Sequence, residues 1–300
     1  MQSDTWLVID ANFLCHRASW SVGELTHGSL RTGIAFGVLS EVLSILDVWD
    51  AQHLVFCFDV GISIRKDTLP CYKANRHKAP AKATPEEIEE GRKAYHLFCK
   101  EVRMLRTKVL PSIQFPNILQ AYGFEADDWI AASCQKIEKK WPEDRVVIVS
   151  ADHDLFQCIT GQVCVFDPIR RKTSTLQSFT TNFGIKPRQW PVIKAIAGCS
   201  GDNIPGVKGV GEKTAIKYVL GELKEGSKKH QDITSSEGQS IKARNLPLVK
   251  LPHDELPKFK LTKKQPAPSH WDETMKWLGM KTLASKNPFV GRKALGKKSK

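Results

Sequence analysis

Short, uninterrupted apolar runs alternate along the first half of the chain with segments whose apolar residues recur at helical spacing. The apolar runs are residues 5–12, 53–60, 145–154 and 162–168. Continuous rather than alternating hydrophobicity is typical of strands that are buried on both faces, as in a parallel sheet. Helical spacing occurs between these runs, most clearly at 33–50 and 126–141. Strands that alternate with helices predict an α/β domain.

The segment 77–112 is more charged than its surroundings and starts with a stretch rich in Pro, Ala and Lys. Thr84, Pro85 and Glu87 fit a helix N-cap, a proline in the first turn and a capping-box glutamate. We therefore expect a helix that borders the sheet or projects from it, weakened by Gly91.

From about Thr173 the pattern becomes mainly helical. Residues 224–244 are polar and rich in Ser, Lys and Gly, which predicts a loop, and the run 246–252 has the character of a short strand. We divide the chain into a sheet domain, residues 1–175, and a C-terminal region, residues 176–300.

Composition and charge narrow the class of protein. An apolar fraction of 41% supports a packed core, and the sequence shows neither an N-terminal signal segment nor a membrane span. Eight cysteines without a CxxC pair indicate free thiols in a reducing compartment, so we expect a cytoplasmic protein without structural zinc.

Basic residues are concentrated towards the C-terminus. Residues 1–200 hold 24 Lys and Arg against 22 Asp and Glu, whereas residues 201–300 hold 21 against 10 and end in a basic tail at 291–300. The excess predicts a polyanionic partner, with nucleic acid first, although a solvated basic surface would have the same composition.

Aspartates follow the ends of three predicted strands. Asp10, Asp59 and Asp152 stand at or next to these ends, and Asp154 follows two residues later. Because ligands bind beyond the carboxyl ends of parallel strands, these side chains should share one edge of the sheet. The start of the 126–141 helix can lie beside that edge and carries three more carboxylates, Glu125, Asp127 and Asp128.

So many carboxylates in one place would repel one another unless cations were bound between them. Two Mg²⁺ ions with oxygen ligands would remove the repulsion and could act together on a phosphodiester. The simpler alternatives are that each aspartate caps a strand end and that Asp128 complements a helix N-terminus. Other cofactors are not indicated, since the sequence has neither a P-loop nor a G-x-G-x-x-G turn.

Two basic stretches supply the opposite charge. The first follows the Asp59 run and contains Arg65, Lys66, Lys73, Arg76, His77 and Lys78. It suits a phosphate ester held beside metal ions, although an ordinary exposed loop is the plainer interpretation. The second, "GDNIPGVKGVGEKTA", carries Gly206, Lys208, Gly209, Gly211 and Lys213. Its glycines allow close backbone approach and the following helix start can hold a phosphate, as in a helix-hairpin-helix that grips the DNA backbone; a plain turn is the alternative.

In their order and spacing these motifs resemble the 5′–3′ exonuclease/flap endonuclease family, of the type found in bacteriophage 5′-exonucleases and the N-terminal nuclease domain of DNA polymerase I. The resemblance covers about residues 5–252 and rests on Asp10, Asp59, "YKANR", "EADD", "SADHD" and the glycine-rich stretch. It implies a PIN-like parallel sheet flanked by helices, with residues 77–112 as a helical gateway for a 5′ single strand. It also implies a monomeric enzyme that cleaves DNA flaps or ends, or RNA–DNA primers, in replication or repair.

The resemblance further implies roles for individual residues. A first metal site would be formed by Asp10, Asp59, Glu125 and Asp127, of which Asp127 is shared between both sites. A second would be formed by Asp152 and Asp154, with Asp128 and Asp202 nearby. The scissile phosphate would contact Lys73 and Arg76, with Arg65 in the same DNA-binding stretch. The duplex would be gripped by Gly206, Lys208, Gly209, Gly211 and Lys213, with K⁺ as a candidate ion there.

One departure from the family pattern concerns Cys199, which stands in "GCSGDN" where the family has a metal-binding aspartate. Cysteine is a poor ligand for Mg²⁺, so we expect a second site that is weak for Mg²⁺ and more responsive to Mn²⁺. The alternative function is therefore a branched-DNA-binding protein of the same fold with weak cleavage. A third is an RNA-directed nuclease, against which the helix-hairpin-helix argues.

Overall fold

The computed structural model describes residues 3–76 and 83–290. Its strands are β1 Thr5–Asp10, β2 Thr26–His27, β3 Leu30–Arg31, β4 His53–Cys57, β5 Ile118–Leu119, β6 Arg145–Val149, β7 Val163–Asp167, β8 Lys172–Ser174, β9 Gly198–Cys199 and β10 Ile204–Pro205. Six of them form a central sheet in the order β5-β4-β1-β6-β7-β8. Neighbours in this sheet are parallel except β7 and β8, which confirms the predicted α/β fold with a mostly parallel sheet.

Helices cover both faces of the sheet. They are α1 Ala11–Ser21, α2 Gly33–Trp49, α3 Arg65–Thr68, α4 Pro85–Met104, α5 Leu110–Ile113, α6 Ala126–Lys140, α7 Leu176–Phe183, α8 Trp190–Ala197, α9 Glu212–Val219, α10 Lys228–Thr234, α11 Ser236–Val249, α12 Pro268–Trp277 and α13 Lys281–Ala284. A π-helical turn, Leu105–Val109, joins α4 to α5, and 3₁₀ helices span His153–Cys158 and Pro187–Gln189. Within the described residues, no helix is both long and apolar enough to cross a membrane.

The central strands are buried on both faces because successive side chains point in opposite directions. In β1, Leu7 and Ile9 join the apolar cluster that includes α1, α2, α12 and α13, whereas Trp6 and Val8 join the cluster that includes α6 and α8. Each cluster combines residues from before and after position 175. The division of the chain at residue 175 stays a prediction.

The charged segment before residue 112 forms the expected helix. Thr84 caps α4, with its Oγ1 accepting from Glu87 N at 3.3 Å while its own N–H donates to Glu87 Oε2 at 2.8 Å. Gly91 lies inside α4 without interrupting it. With the π-helical turn and α5, the helical path runs from residue 85 to 113. The beginning of the predicted gateway, residues 77–82, lies outside the described residues.

The predicted loop at 224–244 was wrong, because this part of the chain forms α10 and most of α11. The predicted strand at 246–252 was also wrong, since its first half ends α11. Both helices start at serine caps: Ser227 Oγ accepts from His230 N and Ser235 Oγ accepts from Gly238 N. The polar composition of this segment did not indicate helices, because packing against neighbouring elements stabilises them rather than a clear apolar stripe.

Candidate metal centre and nucleic-acid interface

The carboxyl ends of three strands and the start of α6 surround a cavity of about 340 Å³. Asp10 ends β1, Asp59 follows β4, Asp152 follows β6, and Asp127 lies in the first turn of α6. All four carboxylates line this cavity, as the parallel topology predicted. They form the group that we call the rim carboxylates.

Neutral donors hold two of the rim carboxylates in place. Asp10 Oδ1 accepts from Phe13 N at 3.0 Å, which caps α1, and Asp10 Oδ2 accepts from Ser150 Oγ at 3.0 Å. Asp59 Oδ1 accepts from Ala126 N at 2.6 Å at the start of α6. Asp10 and Asp59 therefore also cap the N-termini of α1 and α6. Amide and hydroxyl donors fix the carboxylates without neutralising their charge.

The rim carboxylates repel one another. Burial, and then the nearby Asp59, raise the pKa of Asp10 to about 7. The pKa of Asp127 is raised well above its ordinary value by burial, with Asp152 and Asp10 adding to the rise. A divalent cation would reverse these shifts by stabilising the ionised forms, and an all-oxygen donor set is what hard cations prefer. The chemistry of these residues therefore fits a metal site.

Glu125 lies beside the rim carboxylates as the N-cap of α6 and is buried. Its Oε1 accepts from Lys73 Nζ at 2.8 Å and its Oε2 accepts from Tyr72 Oη at 2.9 Å. Burial alone would raise the pKa of Glu125, but Lys73 and Arg65 together lower it. An ionised Glu125 thus positions the Lys73 ammonium next to the cavity.

Asp128 and Arg65 do not fit the roles predicted for them. Arg65 is 1% exposed, and its Nη1 and Nη2 lie 2.8 and 2.7 Å from the two oxygens of Asp128, which is fully buried. The backbone N–H groups of Glu125 and His253 also donate to Asp128. A buried carboxylate whose oxygens are already bonded is not available to a metal ion, and a buried guanidinium cannot reach DNA. Both predictions are corrected: the pair is structural and caps α6.

Lys73 and Arg76 lie on the turn that faces the cavity, as predicted. Arg76 Nη2 lies 2.5 Å from Asp202 Oδ1, and the Lys73 backbone N–H donates to Asp202 O at 2.8 Å. Half of the Arg76 side chain remains exposed. Asp202 therefore ties this basic turn to the chain segment around Cys199. Positions 77 and 78 of the basic stretch lie outside the described residues.

Asp154, Cys199 and Asp202 form a second cluster, in which one ligand atom of each residue lies within 4.8 Å of the others. The Cys199 sulfur thus lies near both carboxylates, while the residue also packs against a small apolar cluster that includes Leu69 and Ile204. Lys194 Nζ lies 3.0 Å from Asp154 Oδ1 and 3.2 Å from Glu212 Oε1. Burial would lower the pKa of Lys194, but Asp154 and its other neighbours raise it, so the ammonium stays charged.

The glycine-rich stretch connects α8 to α9 as the predicted hairpin. A Cβ at Gly206 would lie 2.2 Å from the Ala197 carbonyl oxygen, and Gly209 has φ of +67°, so both positions favour glycine. Lys208 and Lys213 are exposed. Gly211 is the N-cap of α9 and provides no side-chain acceptor, which leaves the first N–H groups of this helix open to an anion.

A larger cavity of about 770 Å³ lies between the rim carboxylates and α4. Basic and aromatic side chains of the helical segment line it, among them Tyr95, Phe98, Arg103 and Arg106. His16 of α1 also lines this cavity and stacks on Phe98, with ring centroids 4.3 Å apart. A charged and aromatic lining is typical of passages for single-stranded nucleic acid.

The sequence interpretation missed Lys194 and Tyr72, which contact site residues directly. Lys194 is the one charged residue in the apolar run "WPVIKAIA", five residues before Cys199. A lone charge on an apolar helix often indicates a buried partner, so this signal was present. Tyr72 directly precedes Lys73, and no pattern in the sequence indicates that its hydroxyl reaches Glu125.

Comparison with known proteins places this architecture in a family. Residues 5–184 match the family described as 5′-3′ exonuclease, N-terminal resolvase-like domain. DNA polymerase I of Mycobacterium tuberculosis is 32% identical over 224 residues, which are 72% of this chain and 23% of that protein. The chain thus spans less than a quarter of the length of such polymerases. The 5′-3′ exonuclease of Aquifex aeolicus is 28% identical over 301 residues, with 97% of each chain covered.

Solved structures share the fold. The bacteriophage T5 5′-exonuclease with bound zinc has a TM-score of 0.66 at 25% identity, covering 82% of this chain and 89% of that one. A T5 flap endonuclease structure with DNA and metal ions gives the same TM-score and identity, covering 82% and 88%. Because the family match covers more than half of the chain, this protein belongs to the 5′–3′ exonuclease family with the N-terminal resolvase-like domain.

Proposed function

We propose that this protein is a divalent-metal-dependent 5′-nuclease that hydrolyses phosphodiester bonds of DNA at 5′ single-stranded flaps or ends. The observation that carries the proposal is that Lys73 and Arg76 line the same cavity as the four rim carboxylates. Such a cavity suits a phosphate held between fixed cations and metal-binding carboxylates. The 5′-3′ exonuclease of Aquifex, aligned over nearly its whole length, supports this activity.

The residues that would hold a first metal ion are Asp10, Asp59 and Asp127, with Glu125 acting through water because its oxygens are bonded to Lys73 and Tyr72. A second ion would lie between Asp152, Asp154 and Asp202. We expect Mg²⁺ at the first site because the ligands of that site are all oxygens. When bound, the ions would lower the pKa of an attacking water and stabilise the charge of an in-line displacement.

The protein's own cations would position the substrate. Lys73 Nζ, held by Glu125 beside the cavity, would contact a non-bridging oxygen of the scissile phosphate and stabilise negative charge as the water attacks. Arg76, half exposed next to Asp202, would bind the neighbouring phosphate through its guanidinium group. The products would be a strand with a 5′-phosphate and the released 5′ fragment.

The cavity under α4 and the glycine-rich hairpin indicate the shape of the substrate. A 5′ single strand would pass through the cavity under α4, whose aromatic lining suits unstacked bases of either DNA or RNA primers. The hairpin with Lys208 and Lys213 would hold the adjoining duplex through its phosphates, with K⁺ as a candidate ion at the turn. We expect the protein to act as a monomer.

Cleavage of a 5′-labelled flap in Mg²⁺ and in chelator tests the proposal. The wild type should release the flap only with Mg²⁺, and Asp127→Asn should bind the flap in chelator with unchanged affinity but fail to cut it. Because asparagine has the same shape as aspartate, a loss of cleavage in this variant would reflect the lost charge rather than a change in packing. Cleavage without metal, or normal cleavage by Asp127→Asn at saturating Mg²⁺, would contradict the proposal.

A second candidate function, recognition of branched DNA with weak cleavage, is favoured by the thiol of Cys199 in the second cluster. The same experiment separates the two. Tight flap binding by the wild type with little product at saturating Mg²⁺ would support the binding protein, and rapid product formation would support the enzyme.

A further inference from the structure

The second cluster brings together three potential ligands from three parts of the chain. Asp154 comes from the 3₁₀ helix that follows β6, Cys199 from β9, and Asp202 from the turn between β9 and β10. One oxygen of each carboxylate and the Cys199 sulfur lie within 4.8 Å of one another. Metal–ligand bonds of about 2.0–2.3 Å place two ligands of one ion at most about 4.6 Å apart, so small side-chain movements would bring all three atoms into contact with one ion.

The segment that carries Cys199 and Asp202 is fixed in position by the turn that carries Lys73. Asn75 Nδ2 donates to Ser200 O at 2.9 Å, and Asn203 Nδ2 donates to Cys71 O at 2.7 Å. These bonds hold the chain on both sides of Asp202, whose carboxylate is also fixed by Arg76 as described above. A cation would therefore meet a preformed site rather than having to organise a flexible loop.

The donor set differs from that of the rim carboxylates in one atom type. The rim group is all oxygen, which suits hard ions such as Mg²⁺, whereas a thiolate selects softer ions such as Zn²⁺ or Co²⁺. Affinity also rises along the divalent transition metals for mixed sulfur and oxygen sites. One sulfur in place of one oxygen is therefore expected to change which ion occupies the cluster.

A cation already occupies part of this cluster. The Lys194 ammonium lies between Asp154 and Glu212, 3.0 and 3.2 Å from their oxygens. Its contact with Glu212 gives it a second partner, so Asp154 can turn to an incoming ion while Lys194 remains paired. This position attracts positive charge. The Lys194 ammonium would compete most effectively with an ion that the cluster binds weakly, such as Mg²⁺.

We propose that Asp154, Cys199 and Asp202 bind one zinc-class divalent cation through the Cys199 thiolate, in preference to Mg²⁺. The thiol proton passes to solvent as the sulfur–metal bond forms, so one proton is released and no electron is transferred. The proposal rests on the metal-dependent function proposed above. It extends that function by assigning a different ion to each of the two metal sites. The Mg²⁺ site remains the one formed by Asp10, Asp59 and Asp127.

Absorption spectroscopy with Co²⁺ as the probe tests this without DNA. A thiolate bound to Co²⁺ gives an intense near-ultraviolet charge-transfer band. The wild type should show this band, saturating at one bound ion, and Cys199→Ser should lose it. Cys71→Ser is the matched control, because Cys71 is an exposed thiol on the facing turn, and it should keep the band.

Competition between Zn²⁺ and Co²⁺ gives the affinities. Cys199→Ser should bind Zn²⁺ more weakly by at least about tenfold, the size of loss that even a supporting group of a metal site produces. Cys199→Asp, with an all-oxygen cluster, should lack the band and bind Mg²⁺ more tightly than the wild type. Since serine is close in size to cysteine, the first variant should fold even where the added aspartate destabilises the protein.

Two results would overturn the inference: a wild type with no charge-transfer band, or a band of the same strength in Cys199→Ser. Neither depends on cleavage. A protein that cuts flaps with Mg²⁺ but shows no band would retain the proposed function and lose the zinc-class site. A protein that shows the band but never cuts would do the reverse.

Discussion

Acidic side chains lie at both ends of the central strands, but in opposite electrostatic surroundings. Asp4 and Asp144 directly precede β1 and β6, whereas Asp10 ends β1 at the other edge of the sheet. At the amino ends, Lys263 Nζ lies 2.6 Å from an oxygen of Asp4 and 2.6 Å from an oxygen of Asp144. His53 and Trp6 complete this set with contacts of 3.1 and 2.8 Å.

The two ends differ in the direction of their pKa shifts. Burial would raise the pKa of Asp4, but Lys263 and His53 lower it below its ordinary value. Burial and Asp59 raise the pKa of Asp10. A structural group of charges includes its own counter-charge, whereas Lys73 and Arg76 only partly compensate the rim carboxylates and a ligand would have to supply the rest. Uncompensated charge, rather than the presence of acidic residues, is what distinguishes the candidate site.

Asp10→Asn is the substitution with the largest expected effect on the difference between the two ends of the strands. Removing one rim charge should lower single-turnover flap cleavage by on the order of 10²–10³-fold or more. The same change should raise the melting temperature of the metal-free protein, because a repelling carboxylate is lost while asparagine still caps α1. Stopped assays and thermal unfolding measure the two effects. Normal cleavage, or a lower melting temperature in chelator, would count against the functional interpretation of the rim.

Lys73→Ala is expected to have the next largest effect. It removes the fixed cation nearest to the rim carboxylates and should slow the single-turnover rate by on the order of 10²-fold, with a smaller change in duplex affinity. Lys66→Ala is the control, since Lys66 lies on the same stretch but lines the larger cavity instead. If both variants weakened binding equally and left the rate unchanged, this stretch would be only a basic surface.

The pH dependence of stability sharpens the comparison. The pKa of Asp10 is about 7 in the folded protein and about 3.9 when unfolded. Between these values the folded state keeps a proton that the unfolded state has lost, so the free energy of unfolding of the metal-free protein should fall as pH rises from about 4 to about 7. Urea unfolding in chelator should show this decline, Asp10→Asn should reduce it, and saturating Mg²⁺ should remove it.

Asp4 should act in the opposite direction. Its lowered pKa contributes stability above the unfolded value of about 3.9, and this is lost as pH falls through the folded value. Lys263→Met removes the shared ammonium and should reduce the free energy of unfolding by about 2 kcal/mol at neutral pH, because two carboxylates lose their charged partner. Urea unfolding measures it, and unchanged flap cleavage is the control. An unaltered stability would mean that the amino-end group is not structural.

Lys208→Ala should have the smallest effect. This exposed lysine of the hairpin is expected to contact one phosphate, so its loss should weaken duplex binding modestly and reduce the slope of log affinity against log salt by about one. Folded stability should not change, in contrast to Lys263→Met. A salt slope equal to that of the wild type would remove Lys208 from the duplex interface.

Local patterns were enough to predict four of the six strands of the sheet and the edge at which the rim carboxylates meet. Uninterrupted apolar runs fix strands that are buried on both faces, and parallel topology then brings Asp10, Asp59 and Asp152 to one edge. Thr84 and Glu87 identified the start of α4 because a capping box is a short-range signal.

Long-range partners were what the sequence could not supply. Arg65 looked like a DNA contact because it lies in a basic stretch, yet the backbone turns it inward to Asp128. The spacing of Glu125 and Asp128 is that of a capping box, and this signal favoured a structural role. The start of α10 at Ser227 was hidden because its neighbours are polar and its helix depends on tertiary packing.

The contact between Lys263 and Asp4 also sets an order of events when the chain is made. These residues are 259 positions apart. At synthesis rates of roughly 5–20 residues per second, Asp4 leaves the ribosome on the order of ten to fifty seconds before Lys263 does. During that interval Asp4 and Asp144 can be bonded by His53, Trp6 and water, but not by the Lys263 ammonium. The ion pairs of Lys263 with Asp4 and Asp144 can therefore form only after the rim carboxylates and the hairpin have already been synthesised.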